Sequence, residues 1–94
     1  MRIQVVRSGG FAGLHREREV ETEQLSPDER LELERLVAEA QFFDLPERQL
    51  SGLPDVLQYR VRVEVGGHAH EVTADDQTAS VALAALVARV MGMG

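Results

Sequence analysis

The sequence predicts an α+β domain with elements in the order β-β-α-β-β-α: a four-stranded antiparallel sheet with two helices packed on one face. Three observations predict it. Residues 57–65 alternate strictly between apolar and polar side chains and lead through Gly66-Gly67 into another alternating segment. Two further segments repeat apolar residues at helical spacing, each behind residues that suit a helix start. The chain has 94 residues, which fits a single domain over 1–94 with one modest core.

Residues 2–7 read as the first strand, with Ile3 and Val5 on one face and Val6 on the other. Ser8-Gly9-Gly10-Phe11-Ala12-Gly13 follows, and its glycines mark a loop with backbone dihedrals that other residues avoid. Residues 14–22 form the second strand. Leu14, Arg16, Arg18 and Val20 share one face, and His15, Glu17, Glu19 and Glu21 the other. So charged a strand suits a sheet edge, where charge discourages aggregation.

Ser26-Pro27-Asp28-Glu29 starts the first helix: Ser26 caps, Pro27 takes the first helical position and Glu29 completes a capping box. Leu33, Leu36, Val37 and Ala40 line its inner face, and it should end near Ala40 or Gln41. Pro46 prevents further helix, and Phe42, Phe43 and Leu45 are expected to close the core beneath it. Residues 47–56, with Gly52 and Pro54, are expected to be an irregular loop.

The third strand is 57–65, and Gly66-Gly67 makes a tight turn into the fourth. That turn pairs Val65 with His68, Val63 with His70, and Val61 with Val72; it also sets Arg62 opposite Glu71 on the solvated face. The fourth strand should end near Ala74, and Asp75-Asp76 offers a cap for the second helix. Ala79, Leu83, Leu86, Val87 and Val90 line that helix, which Gly92 ends.

The net charge of −6 disfavours nucleic acid and anionic membranes as partners. Three Phe and one Tyr do not make a base-stacking platform. Cysteine is absent, which excludes disulfides and thiolate zinc sites. No apolar run reaches the length of a membrane span, and Met1 to Arg7 reads as a strand rather than a leader, so a cytoplasmic location is expected.

Candidate chemistry is sparse. His68 and His70 share a strand face and could hold a metal, with Asp75 or Asp76 as a further ligand, but spacing fixes no third ligand. Asp75-Asp76 as an acid–base pair is weaker than Asp75-Asp76 as a cap, because adjacent side chains point apart. No Gly-x-Ser-x-Gly elbow is present, and Ser8-Gly9-Gly10 precedes a charged strand rather than the helix a phosphate loop needs. No enzyme, metal site or cofactor is therefore expected. Phe11 remains, a large apolar residue at a glycine-rich loop tip; it either folds back over the sheet end or serves as an exposed anchor for a partner.

Several of these segments together resemble the emfourin family, small bacterial inhibitors of thermolysin-type (M4) metallopeptidases such as protealysin. The resemblance runs through Val6-Arg7-Ser8-Gly9-Gly10-Phe11-Ala12-Gly13, Leu33-Glu34-Arg35-Leu36-Val37, Phe42-Phe43-Asp44-Leu45-Pro46 and Tyr59-Arg60-Val61-Arg62-Val63-Glu64. It continues through the strand after Gly66-Gly67, and so covers nearly the whole chain. It implies a protein that blocks the open, zinc-containing cleft of an M4 peptidase, an enzyme class that favours bulky apolar side chains. Residues Ser8, Gly9, Gly10, Phe11, Ala12 and Gly13 are the expected contact surface, with help from 47–56. The alternative is a small binding or regulatory module with a non-protease partner, which the charged second strand could receive by edge pairing.

Overall fold

Apolar alternation decides which face of the sheet is covered. In the computed structural model, which describes residues 1–10 and 13–93, the strands are β1 (Arg2–Gly9), β2 (Leu14–Glu21), β3 (Arg48–Gln49), β4 (Leu57–Val65) and β5 (His68–Asp75). The helices are α1 (Pro27–Glu39) and α2 (Val81–Met91). Ile3 and Val5 of β1, Val61 and Val63 of β4, and Val72 and Ala74 of β5 are all buried on one face. Leu33, Val37 and Ala40 meet them from α1 and its C-cap, and Leu83, Leu86, Val87 and Val90 from α2, in one hydrophobic cluster. Burying each large side chain of this set contributes about 1.5–3 kcal/mol.

Among the described residues the sheet has five strands in the order β2-β1-β4-β5-β3, not the expected four. It is mixed rather than wholly antiparallel, because β3 runs parallel to β5, with Arg48 beside Thr73 and Gln49 beside Ala74. Part of the expected 47–56 loop is therefore a strand. A two-residue polar strand carries no periodicity; what makes it one is the free edge of β5, from which Thr73 donates its N–H to the Glu47 carbonyl at 2.8 Å. The β4–β5 hairpin has the expected register, with Val65 opposite His68, Val61 opposite Val72 and Arg62 opposite Glu71. The β1 strand runs two residues further than expected, through Ser8 and Gly9, which pair with His15 and Leu14 of β2 and with Gln58 and Leu57 of β4.

Both helices pack on one face of the sheet. The capping box forms as expected: the Glu29 N–H donates to Ser26 Oγ at 3.3 Å, and the Ser26 N–H to Glu29 Oε1 at 3.4 Å. The expected cap of the second helix is displaced. Ser80, not Asp75-Asp76, caps α2 by accepting the Leu83 N–H at 3.1 Å. Arg89 of α2 reaches Glu32 and Glu29 of α1 and ties the two helices together. Phe42 is 1% exposed and closes the core as expected, whereas Phe43 stands 42% exposed at its margin.

The charged strand β2 does lie at the sheet edge. Arg16 and Arg18 lie on the helix side, and Glu17, Glu19 and Glu21 on the open side. A two-fold antiparallel pairing with a second β2 keeps each face on its own side. Like charges would then stand opposite one another at any register, which opposes edge-to-edge dimers.

Candidate functional site

Topology brings three connections to one end of the sheet. Gly9 ends β1 beside Leu14 and Leu57, where β2 and β4 begin. Asp75 ends β5 opposite Gln58, and Gln49 ends β3 beside Ala74. The connections after Gly9, Gln49 and Asp75 therefore all leave the same end of the sheet.

Close backbone approach joins the first two connections. The Gly10 N–H donates to the Val56 carbonyl at 3.2 Å. Gly9 has φ +89°, and a Cβ there would stand 3.1 Å from the same carbonyl oxygen. Gly10 has φ +77°, and a Cβ there would stand 3.1 Å from Leu57 Cδ2. The positive φ favours glycine at both positions, and at Gly9 the crowding is against a backbone atom. The Gly13 N–H returns to the Gly10 carbonyl at 3.2 Å.

A single carboxylate joins the second connection to the third. Asp75 is 1% exposed. Its Oδ2 accepts the Ser51 N–H and the Ser51 hydroxyl, both at 2.7 Å. Its Oδ1 accepts the Gln77 N–H at 2.9 Å and the Thr78 N–H at 3.1 Å. Thr78 Oγ1 accepts the Asp75 N–H at 2.9 Å, and Asp76 donates its own N–H to the Leu57 carbonyl at 3.0 Å. Four donors on one carboxylate favour the charged form. The Ser51 N–H contributes most, with the Ser51 hydroxyl and the Gln77 and Thr78 N–H groups behind it; together they outweigh desolvation and hold the Asp75 pKa below the usual aspartate value. On the neighbouring strand, burial is the main cause that raises the Tyr59 pKa, and the Asp76 and Asp75 charges add to it against Arg7.

Two buried polar atoms without a hydrogen-bond partner among the described residues, Arg7 Nε and Gln49 Nε2, lie near this same end. Two apolar side chains stand out from it: Leu53, 53% exposed on the 50–56 connection, and Val81, 89% exposed at the start of α2. Three depressions among the described residues lie away from this end, including one around Glu47, Arg48 and Thr73. A second is on the open sheet face around Gln4, Arg60 and Arg62, and the third beside the end of α1 around Phe42 and Phe43.

The expected contact residues divide accordingly. Ser8 and Gly9 belong to β1 rather than to a loop, because their backbones pair with both neighbours. Gly10 and Gly13 frame the turn beyond it. Phe11 and Ala12 lie outside the described residues. Sequence reasoning took 47–56 only as a helping segment, singled out neither Ser51, Leu53 nor Val56, and gave Asp75 a different role. The signal for Asp75 was an aspartate three residues before Thr78, a turn-capping pattern as much as a helix-capping one.

The histidines do not converge with other ligands. His68 is exposed at the β4–β5 turn. His70 Nε2 lies 2.7 Å from the Leu45 carbonyl, which can only accept, so that nitrogen carries the proton. Its ring packs edge-on against Phe42 at 5.6 Å. Among the described residues no group of three or more His, Asp or Glu is placed to hold a metal.

A family model described as Emfourin matches residues 5–91 of the chain, which spans every residue of the sheet end described above. No curated protein and no solved structure matches it.

Proposed function

The chain belongs to the Emfourin family and is an inhibitor of M4 metallopeptidases of the protealysin type, not an enzyme; from that premise we propose that it acts by seating the loop end of its sheet in the peptidase's active-site cleft. The observation that carries this reading is the cross-linking of three connections at one end. Gly10 binds Val56, Asp76 binds Leu57, and Asp75 binds Ser51, so the described part of the surface is held together before it meets the enzyme. A surface already held in its bound shape loses little conformational entropy on docking. Phe11 and Ala12, between Gly10 and Gly13, belong to the same contact surface in this reading.

The test is direct. Purified protein is titrated against a protealysin-type peptidase, and cleavage of a peptide substrate is followed. Cleft blockade predicts stoichiometric loss of activity that added zinc does not restore. Phe11→Ala should weaken the inhibition, and a bound active-site ligand of the peptidase should compete with the inhibitor. Inhibition indifferent to such a ligand would place the contact outside the cleft.

A further inference from the structure

We propose that Leu53 is an apolar anchor that enters a pocket of the peptidase, and that Asp75 is the positioning residue that holds Leu53 in place for it. The inference rests on the loop end being the contact surface. Leu53 is one of few large apolar residues left exposed, at 53%. Of the others, Leu31 lies on α1, Phe43 follows α1, and Val65 lies at the opposite end of β4, at the turn into β5. Among the described residues, only Val81 of these shares the end on which Leu53 stands. Leu53 is not among the apolar residues packed against the core.

What separates Leu53 from an ordinary exposed leucine is the route by which its backbone is held. The Leu53 N–H donates to Ser51 Oγ at 3.2 Å. Ser51 Oγ donates its one proton to Asp75 Oδ2 at 2.7 Å, so a lone pair of the hydroxyl is left to face Leu53. The buried carboxylate thus reaches the Leu53 backbone through two hydrogen bonds. Gly52, with φ +77°, and Asp55, with φ +58°, turn the chain on either side. Pro54 disfavours helical backbone at Leu53 and biases it to extended conformation. A leucine held out from a preordered segment gains binding free energy when a partner's pocket buries it away from water.

Leu53→Ala, Leu53→Met, Asp75→Asn and the double variant Leu53→Ala/Asp75→Asn are assayed against a protealysin-type peptidase, with a thermal melt of each. Leu53→Ala should raise the inhibition constant at least about 30-fold with little change in melting temperature, and Leu53→Met should recover most of the loss. Asp75→Asn should weaken inhibition, and the double variant should be little worse than Leu53→Ala alone, because both act through one contact. Additive losses would overturn the positioning role of Asp75. A Leu53→Ala change within about threefold of the parent would overturn the anchor. If Phe11→Ala weakens inhibition in that case, the loop end remains the contact surface and only the anchor falls; if Phe11→Ala is silent too, both fall. A free inhibitor that is a dimer, dissociated by Leu53→Asp with inhibition intact, would assign Leu53 to a second copy and overturn the proposal.

Discussion

Replacing Gly9 and Gly13 separately by alanine distinguishes backbone strain from close packing at the loop end. Both glycines have positive φ, +89° at Gly9 and +63° at Gly13. An L-residue in that region costs about 1–2 kcal/mol. At Gly13 nothing described lies within 4 Å of an added Cβ, so strain is the whole effect. At Gly9 the Cβ meets the Val56 carbonyl oxygen at 3.1 Å, a backbone atom that cannot rotate away. Crowding of that kind adds about 1–3 kcal/mol. Each kcal/mol shifts the melting temperature of a domain this size by about 4–8 °C. Gly9→Ala should therefore melt at least about 4 °C below Gly13→Ala, as followed by circular dichroism. The same carbonyl accepts the Gly10 N–H at 3.2 Å, so Gly9→Ala should also weaken inhibition. Equal melting temperatures for the two variants would refute the claim that β1 and the 50–56 connection are in close contact.

The Asp75 carboxylate has a lowered pKa in the folded chain, so its contribution to stability is complete above the ordinary aspartate value and is lost as pH falls through the folded value. The stability gap between the parent and Asp75→Asn should be constant near neutral pH and close in acid, as measured by urea unfolding across pH. Glu21, lowered chiefly by the N-terminal ammonium at 3.1 Å, has the same sign. Leu83→Ala empties a site 1% exposed beneath α2 and should cost about 2–5 kcal/mol in urea unfolding, with inhibition by the folded fraction unchanged. Ser26→Ala removes the hydroxyl half of the α1 capping box, leaves the backbone N–H at 26 to donate to Glu29, and should cost about 1 kcal/mol, again without loss of inhibition.

The parts of the fold legible in the sequence are those written as repeated patterns. Leu57 to Val65 alternates over a whole strand, and one turn type then fixes its register with β5. Ser26, Pro27 and Glu29 mark the start of α1 because capping is a local interaction between neighbours in the chain. The strand β3 was illegible because Arg48 and Gln49 become a strand only through the edge of β5, which is distant in sequence. The misplaced cap has the same cause. Asp75 looks like a helix cap when only its neighbours are known, but Ser51 contributes two of the hydrogen bonds on its carboxylate. In the candidate site, the glycines of the 8–13 segment were legible from composition alone. Their crowding against Val56 and Leu57, and the exposure of Leu53, depend on how separate segments meet.

The two structural tasks of this chain fall to different kinds of interaction. The core joins β1, β4, β5 and both helices through apolar contact. The sheet end is ordered by directional polar bonds and by glycines that allow backbones to touch. Hydrogen bonds at a rim can open locally without the cooperative loss of the core. A chain whose core is intact can therefore lose its docking surface, because the order of 50–56 depends on Asp75 and Ser51 rather than on the leucines and valines beneath the helices. For the same reason, stability and inhibition should separate between two groups of variants: core substitutions move the first, and substitutions at Ser51, Leu53 and Asp75 move the second more than the first.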